Sequence, residues 1–138
     1  MNTDAQSPFF VYAPVQTDKT KESIQEILKE LNGYIGDKPA TDEELAKVVA
    51  NKTAKLPGRY EKKWSLLNAL ADAYDNGRDV TYLENYANLV RTPDTDTIAV
   101  EAKKVIKPEQ LTWVIVGDKA KIKAQIESLN LGKVTYLD

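Results

Sequence analysis

"LTWVIVGD", residues 111–118, is the stretch on which the fold turns. Its β-branched and aromatic residues run up to a Gly-Asp pair, which reads as a strand followed by a turn. Both alternating sets, Leu111/Trp113/Ile115 and Val114/Val116, are largely apolar, the pattern of a central strand covered on both faces. Trp113 is therefore expected in a core.

Two further segments share that character. "FFVYAPV", residues 9–15, is aromatic and β-branched, with Pro14 near its end where a lost donor is tolerable. "KVTYL", residues 133–137, follows Gly132 and reads as a last strand. Residues 1–8, "MNTDAQSP", are polar and Pro-terminated, and an unstructured lead-in is expected there.

Helical periodicity fills the space between these segments. Ile24, Ile27, Leu28 and Leu31 make one apolar stripe, with Thr17 or Asp18 as cap and Asn32-Gly33 as the stop. Thr41 and Glu44 have capping-box spacing ahead of Leu45, Val48, Val49 and Leu56, and Pro57-Gly58 breaks that helix. A third helix carries Tyr60, Trp64, Leu67, Ala71 and Tyr74 up to Asn76-Gly77. Asp79 or Thr81 starts a fourth, with Tyr82, Tyr86 and Leu89 on one face and Glu84 as a second box residue. A fifth carries Ile98, Ala102 and Val105 behind a cap at Thr92 or Asp94, and Pro108 ends it. After Gly117-Asp118 a short helix points Ile122, Ile126 and Leu129 inward. The order is β, five helices, β, α, β. That is an α+β fold with about three strands, a thin sheet for so many helices, and it implies that strands are missing.

Composition limits the chemistry. A chain of 138 residues matches one domain, and 42% apolar with 29% charged residues is ordinary for a globular one. A net charge of −2 argues against nucleic acid as a partner. No apolar run is long enough to span a bilayer, so no membrane partner is expected. The first twenty residues lack a basic n-region and an apolar h-region, so no signal peptide is expected there. Cysteine and histidine are both absent, which removes thiolate chemistry, His-based triads and His-ligated zinc.

The remaining candidates each meet a plainer explanation. Tyr60, Trp64 and Tyr74 form a stripe that suits base stacking, but aromatics at helical spacing usually fill a core, and core is the expected role. Arg59, Lys62 and Lys63 suit an anion, although solvent exposure or a partner carboxylate explains them as well. Asp42, Glu43 and Glu44 resemble an acid–base set, yet acids in a first helical turn complement the dipole. Asp94 and Asp96 lack the turn and the distal Glu of a calcium loop. Gly117 alone is a weak phosphate signal, and Asn51-Lys52-Thr53 is a chance-level glycosylation pattern inside a helix. No catalytic, cofactor-binding or metal-ligating residue is assigned.

Taken as one pattern, the segments resemble the C-terminal half of bacterial pitrilysin/insulinase-type zinc metallopeptidases. The resemblance rests on "FFVYAPVQTDKTKESIQEILKEL", on "PATDEELAKVVANKTAKLPGRYE" and, most specifically, on "VIKPEQLTWVIVGD" with its closing Leu-Gly-x-Val-x-x-x-Asp. It covers residues 9–138, as a family domain truncated on its N-terminal side. It implies a two-layer domain of mostly antiparallel sheet and helices within a clam-shell. The parent would be a zinc metallopeptidase whose catalytic half carries His-x-x-Glu-His, the His binding zinc and the Glu activating water. This chain, lacking His, is expected to be inactive alone and to contribute chamber wall and domain packing. Its implied partners are an upstream catalytic half or a paired subunit, with peptide as the parent's substrate. An exposed sheet edge would allow pairing with a second copy. Arg59 and Tyr60 do not inherit the family's substrate-contacting Arg and Tyr, which lie before the strand that "FFVYAPV" resembles. Two alternative readings stand beside the peptidase one: an inactive relative that binds a partner, and an unrelated helical interaction module, which would have a closed helical fold with no free sheet edge. The parent is expected in the periplasm or cell envelope.

Overall fold

The computed structural model describes residues 8–137 and divides into two compact units. One comprises Pro39–Val105 with Pro8 and Phe9, and the other joins Phe10–Lys38 to the segment from Ile106 onward. Of the predicted polar lead-in, residues 1–7 lie outside the described residues.

The first unit is built from α2 (Asp42–Ala54), α3 (Leu56–Arg59), α4 (Lys63–Asp75), α5 (Val80–Arg91) and α6 (Thr95–Val105), which follow α1 (Thr20–Ile35) of the other unit in the chain. The starts of α2, α5 and α6 have a local cause. The Thr41 hydroxyl accepts from the Glu44 N–H while Glu44 accepts from the Thr41 N–H, a complete capping box. Asp79 accepts from the Tyr82 N–H, and Asp94 from the Thr97 N–H at 2.8 Å. The end of α4 is equally local. Gly77, at φ 63°, lets its own N–H reach Tyr74 O and the Arg78 N–H reach Ala73 O. Within the unit α5 packs against α2 and α4, and Thr95 Oγ1 donates to Asp42 Oδ1 at 2.9 Å, tying the start of α6 to the start of α2.

The second unit pairs α1 (Thr20–Ile35) with α7 (Lys119–Glu127). Buried Ile24 and Ile122 are its inner contacts, flanked by half-buried Ile27, Leu28, Leu31 and Ile126, so both predicted stripes face inward. A 3-10 turn, Thr17–Lys19, precedes α1 and packs on α7. Gln125 fastens this corner: its amide donates to Thr17 O at 3.0 Å, and its carbonyl accepts from the Lys21 N–H at 3.2 Å. Helix α1 passes through Gly33 and stops at Gly36, so Asn32-Gly33 is not its terminus.

The predicted α+β fold is corrected here: among the described residues there is no strand and no ladder. The three strand-like segments are non-helical, but none pairs. Propensity and alternation set the local backbone, whereas a strand needs a partner for its N–H and C=O groups. Phe9–Val15 is exposed throughout and forms no ladder. That leaves Leu111–Gly117 and Lys133–Leu137 over α1 and α7, below the three strands an independent sheet needs. Residues 111–116 alternate, with Leu111, Trp113 and Ile115 half-buried and Thr112, Val114 and Val116 exposed. The stretch is thus covered on one face, not two, and Trp113 is at a margin rather than in a core.

Candidate functional site

Three surface features remain once the structural bonds are assigned. The first is the aromatic stripe of α4. Trp64 is 74% exposed and Tyr74 83%, and Leu67 and Ala71 lie on the same open side. The expectation of a core role for Trp64 and Tyr74 is therefore corrected, while Tyr60 is half-buried. The inward side of α4 carries Ala69, Leu70 and Ala73 instead, with Ala73 buried. Periodicity identifies residues that share a face but not which face is covered, and the two alanines make a smoother seat for a neighbouring helix.

The second feature lies in the α1/α7 unit. A groove of about 630 Å³ runs between Leu111–Gly117 and Lys133–Leu137, floored by Ile24, Ile122 and Ile126. Its outer rim is apolar and open: Val114 is 84% exposed and Val116 95%. Tyr136 pins the C-terminal segment to α7. Its hydroxyl donates to Glu127 Oε1 at 3.2 Å, and the ammonium groups of Lys119 and Lys123 lie 4.9 Å and 5.8 Å from its ring centre. Burial, reinforced by the Glu127 bond, pushes this phenol above its ordinary value.

The third is a cavity of about 530 Å³ in the five-helix unit, lined by Asn51, Lys52, Lys55, Gly58, Arg59 and Tyr86. It gathers the C-terminal turn of α2, the short α3 and the half-buried ring of Tyr86 on α5. Of the predicted trio Arg59, Lys62 and Lys63, only Arg59 lines it. Lys52 and Lys55 were missed because each, taken singly, is an ordinary exposed lysine near a helix end. The Arg59 guanidinium also lies 5.8 Å from the Tyr60 ring centre.

The carboxylates that suggested acid–base chemistry have structural partners. Asp42 accepts from Thr95, Glu43 pairs with Lys47 at 2.8 Å, and Glu44 closes the capping box. The Thr41 backbone bond, with its hydroxyl, holds Glu44 below the ordinary glutamate value, and the Thr81 hydroxyl does the same for Asp79. Asp94 is lowered by its bonds to Thr97, while Asp96 has no role in that cap. Gly117 precedes α7, whose cap is Asp118 accepting from the Ala120 N–H. Asn51 and Lys52 lie in α2, as the periodicity predicted.

Among the described residues no three His, Cys, Asp or Glu side chains are placed to hold a metal ion. Among them, too, no helix is long and apolar enough to cross a membrane. Comparisons with family models, with curated proteins and with solved structures found no match to this chain.

Proposed function

We propose that this chain is a non-catalytic portion of a pitrilysin/insulinase-type zinc metalloendopeptidase, contributing chamber wall and packing surface while a separate half hydrolyses peptide. The sequence resemblance supplies the family. The observation that carries the packing role is the open apolar rim of the α1/α7 unit, where Val114 and Val116 face solvent beside the groove. Apolar residues grouped along one edge are the usual mark of a surface that another polypeptide covers. The zinc and its activated water belong to the other half, since this sequence holds no His.

The test is a peptidase assay with added zinc, on this chain alone and mixed with a half bearing His-x-x-Glu-His. Activity only in the mixture, lost on Val116→Asp, is the expected result. Zinc-dependent cleavage by the lone chain would overturn the proposal, as would absence of both association and activity in the mixture. A second reading, a non-catalytic relative that binds a partner, draws on the open Trp64/Leu67/Tyr74 side of α4. It expects association that is lost on Trp64→Ser, with no activity gained.

A further inference from the structure

The geometry points to the cavity beneath α2 and α3 as a binding site for a small multivalent anion of the oligophosphate type. Lys52, Lys55 and Arg59 bring three fixed positive charges to one cavity, in a chain whose net charge is −2. No carboxylate is among the lining residues, and Asn51 and Tyr86 add an amide and a hydroxyl as further donors. A volume of about 530 Å³ is within the range of small-molecule sites.

The plain account of these cations is weaker than it is for six of the chain's other lysines, although pairing alone does not single them out, since Lys21, Lys38, Lys62, Lys63 and Lys133 also lack a carboxylate partner among the described residues. Lys19, Lys29, Lys47, Lys104, Lys121 and Lys123 each pair with a carboxylate one turn away. Among the described residues Lys52, Lys55 and Arg59 have no such ion pair, and Glu61, whose carboxylate lies beside Gly58, has none with them. Favourable interaction with the α2 dipole accounts for Lys52 and Lys55. It does not account for Arg59 on α3, or for all three lining one cavity with Tyr86 of α5.

The donor set selects the ligand. An arginine fork matches the tetrahedral oxygens of phosphate, and lysines add point charges without directional demand. A single carboxylate would answer one of these cations and leave the others unmatched. Two or three linked phosphates, free or as the tail of a nucleotide, would answer all three. The site is solvent-accessible, so its affinity is expected to fall with ionic strength. It stands apart from the peptidase proposal and needs no partner chain.

The experiment is calorimetric titration of the full chain with sodium tripolyphosphate at low salt, with citrate and ATP as comparison arms. Saturable binding is expected, with amide shifts at residues 51–59 and at Tyr86 followed by NMR. Lys55→Gln and Arg59→Gln are each expected to weaken it about fivefold, as for the loss of one exposed charge contact, whereas Lys104→Gln leaves it unchanged. ATP binding as tightly as tripolyphosphate would support a nucleotide as the source, and weaker ATP binding the free oligophosphate. No saturation by about 1 mM tripolyphosphate, equal loss on Lys104→Gln, or citrate binding as tightly would each overturn the assignment.

Discussion

The two units of this protein differ in how their elements are specified. In Pro39–Val105 three of the five helices, α2, α5 and α6, carry their own start signal, and the capping bonds that make those signals work each span three residues. The α1/α7 unit depends on segments distant in sequence: Gln125 ties to Thr17 and Lys21, and Ile122 is buried with Ile24. Its most strand-like segments remain unladdered. A capped helix completes its own hydrogen bonds, whereas a strand borrows them from a neighbour. Local signals therefore produced the first unit faithfully and overstated the second.

The largest expected effect contrasts the two faces of the α1/α7 unit. Ile122→Ala should destabilise it by about 2–4 kcal/mol, because its side chain is buried and the site cannot fully collapse. Val116→Ala, on the open rim, should change stability by less than about 0.5 kcal/mol. Each unit holds one tryptophan, Trp64 or Trp113, so single-tryptophan variants can follow the two units separately in urea. A Val116→Ala loss comparable with that of Ile122→Ala would mean that the rim is covered in solution.

In the five-helix unit, Thr41→Ala removes one partner of the capping box and should cost about 1 kcal/mol, visible in the Trp64 transition. If the cost appears in the Trp113 transition instead, the division into two units fails. Gly33→Ala addresses a position where sequence and structure disagree. In a helix that runs on to Ile35 the substitution should stabilise by up to about 1 kcal/mol, since an added Cβ meets only Lys38 carbons at ordinary contact. Were Gly33 a left-handed terminus, the same change would destabilise.

The smallest effect is electrostatic. Glu44, Asp79 and Asp94 all titrate below their ordinary values because of the hydrogen bonds they accept at helix starts, for Asp79 chiefly from the Thr81 hydroxyl. A lowered folded-state pKa means that the stability is present above the ordinary values of 4.5 and 3.8 and is lost as pH falls through the folded values. The five-helix unit should thus soften on acidification below about pH 4.5, measured as earlier amide exchange in the first turns of α2, α5 and α6. Unchanged protection there would remove the caps from the account.

What the sequence made legible follows from the same contrast. Thr41/Glu44, the Asp79 alternative, Asp94 and Asn76-Gly77 are short-range signals whose partners are encoded beside them, and they fall where periodicity and cap chemistry placed them. Thr81 and Glu84 form no second box; Asp79 takes the cap instead. Trp64 and Tyr74 were grouped correctly but assigned to the wrong side, because coverage depends on other helices. The strands failed for the reason already seen, since pairing is not written into either segment alone. The basic cavity was only one-third visible: Arg59 was noted, but α2 and α3 had to be placed before Lys52 and Lys55 could join it.

The amide of Gln125 has a consequence for how the chain comes into being. It joins residues 104 apart in sequence, so its unit is made from the early and late parts of the chain with all of α2–α6 between them. During vectorial synthesis α1 emerges with Ile24 uncovered, and its cover is not made until the ribosome has moved on by that distance. At ordinary elongation rates the wait is on the order of 5 to 20 seconds. In that interval the five-helix stretch is free to fold, while α1 must stay soluble without α7. The acidic and basic residues along its outer side, with the Lys19–Glu22 and Lys29–Glu26 pairs, give it the means to wait in water.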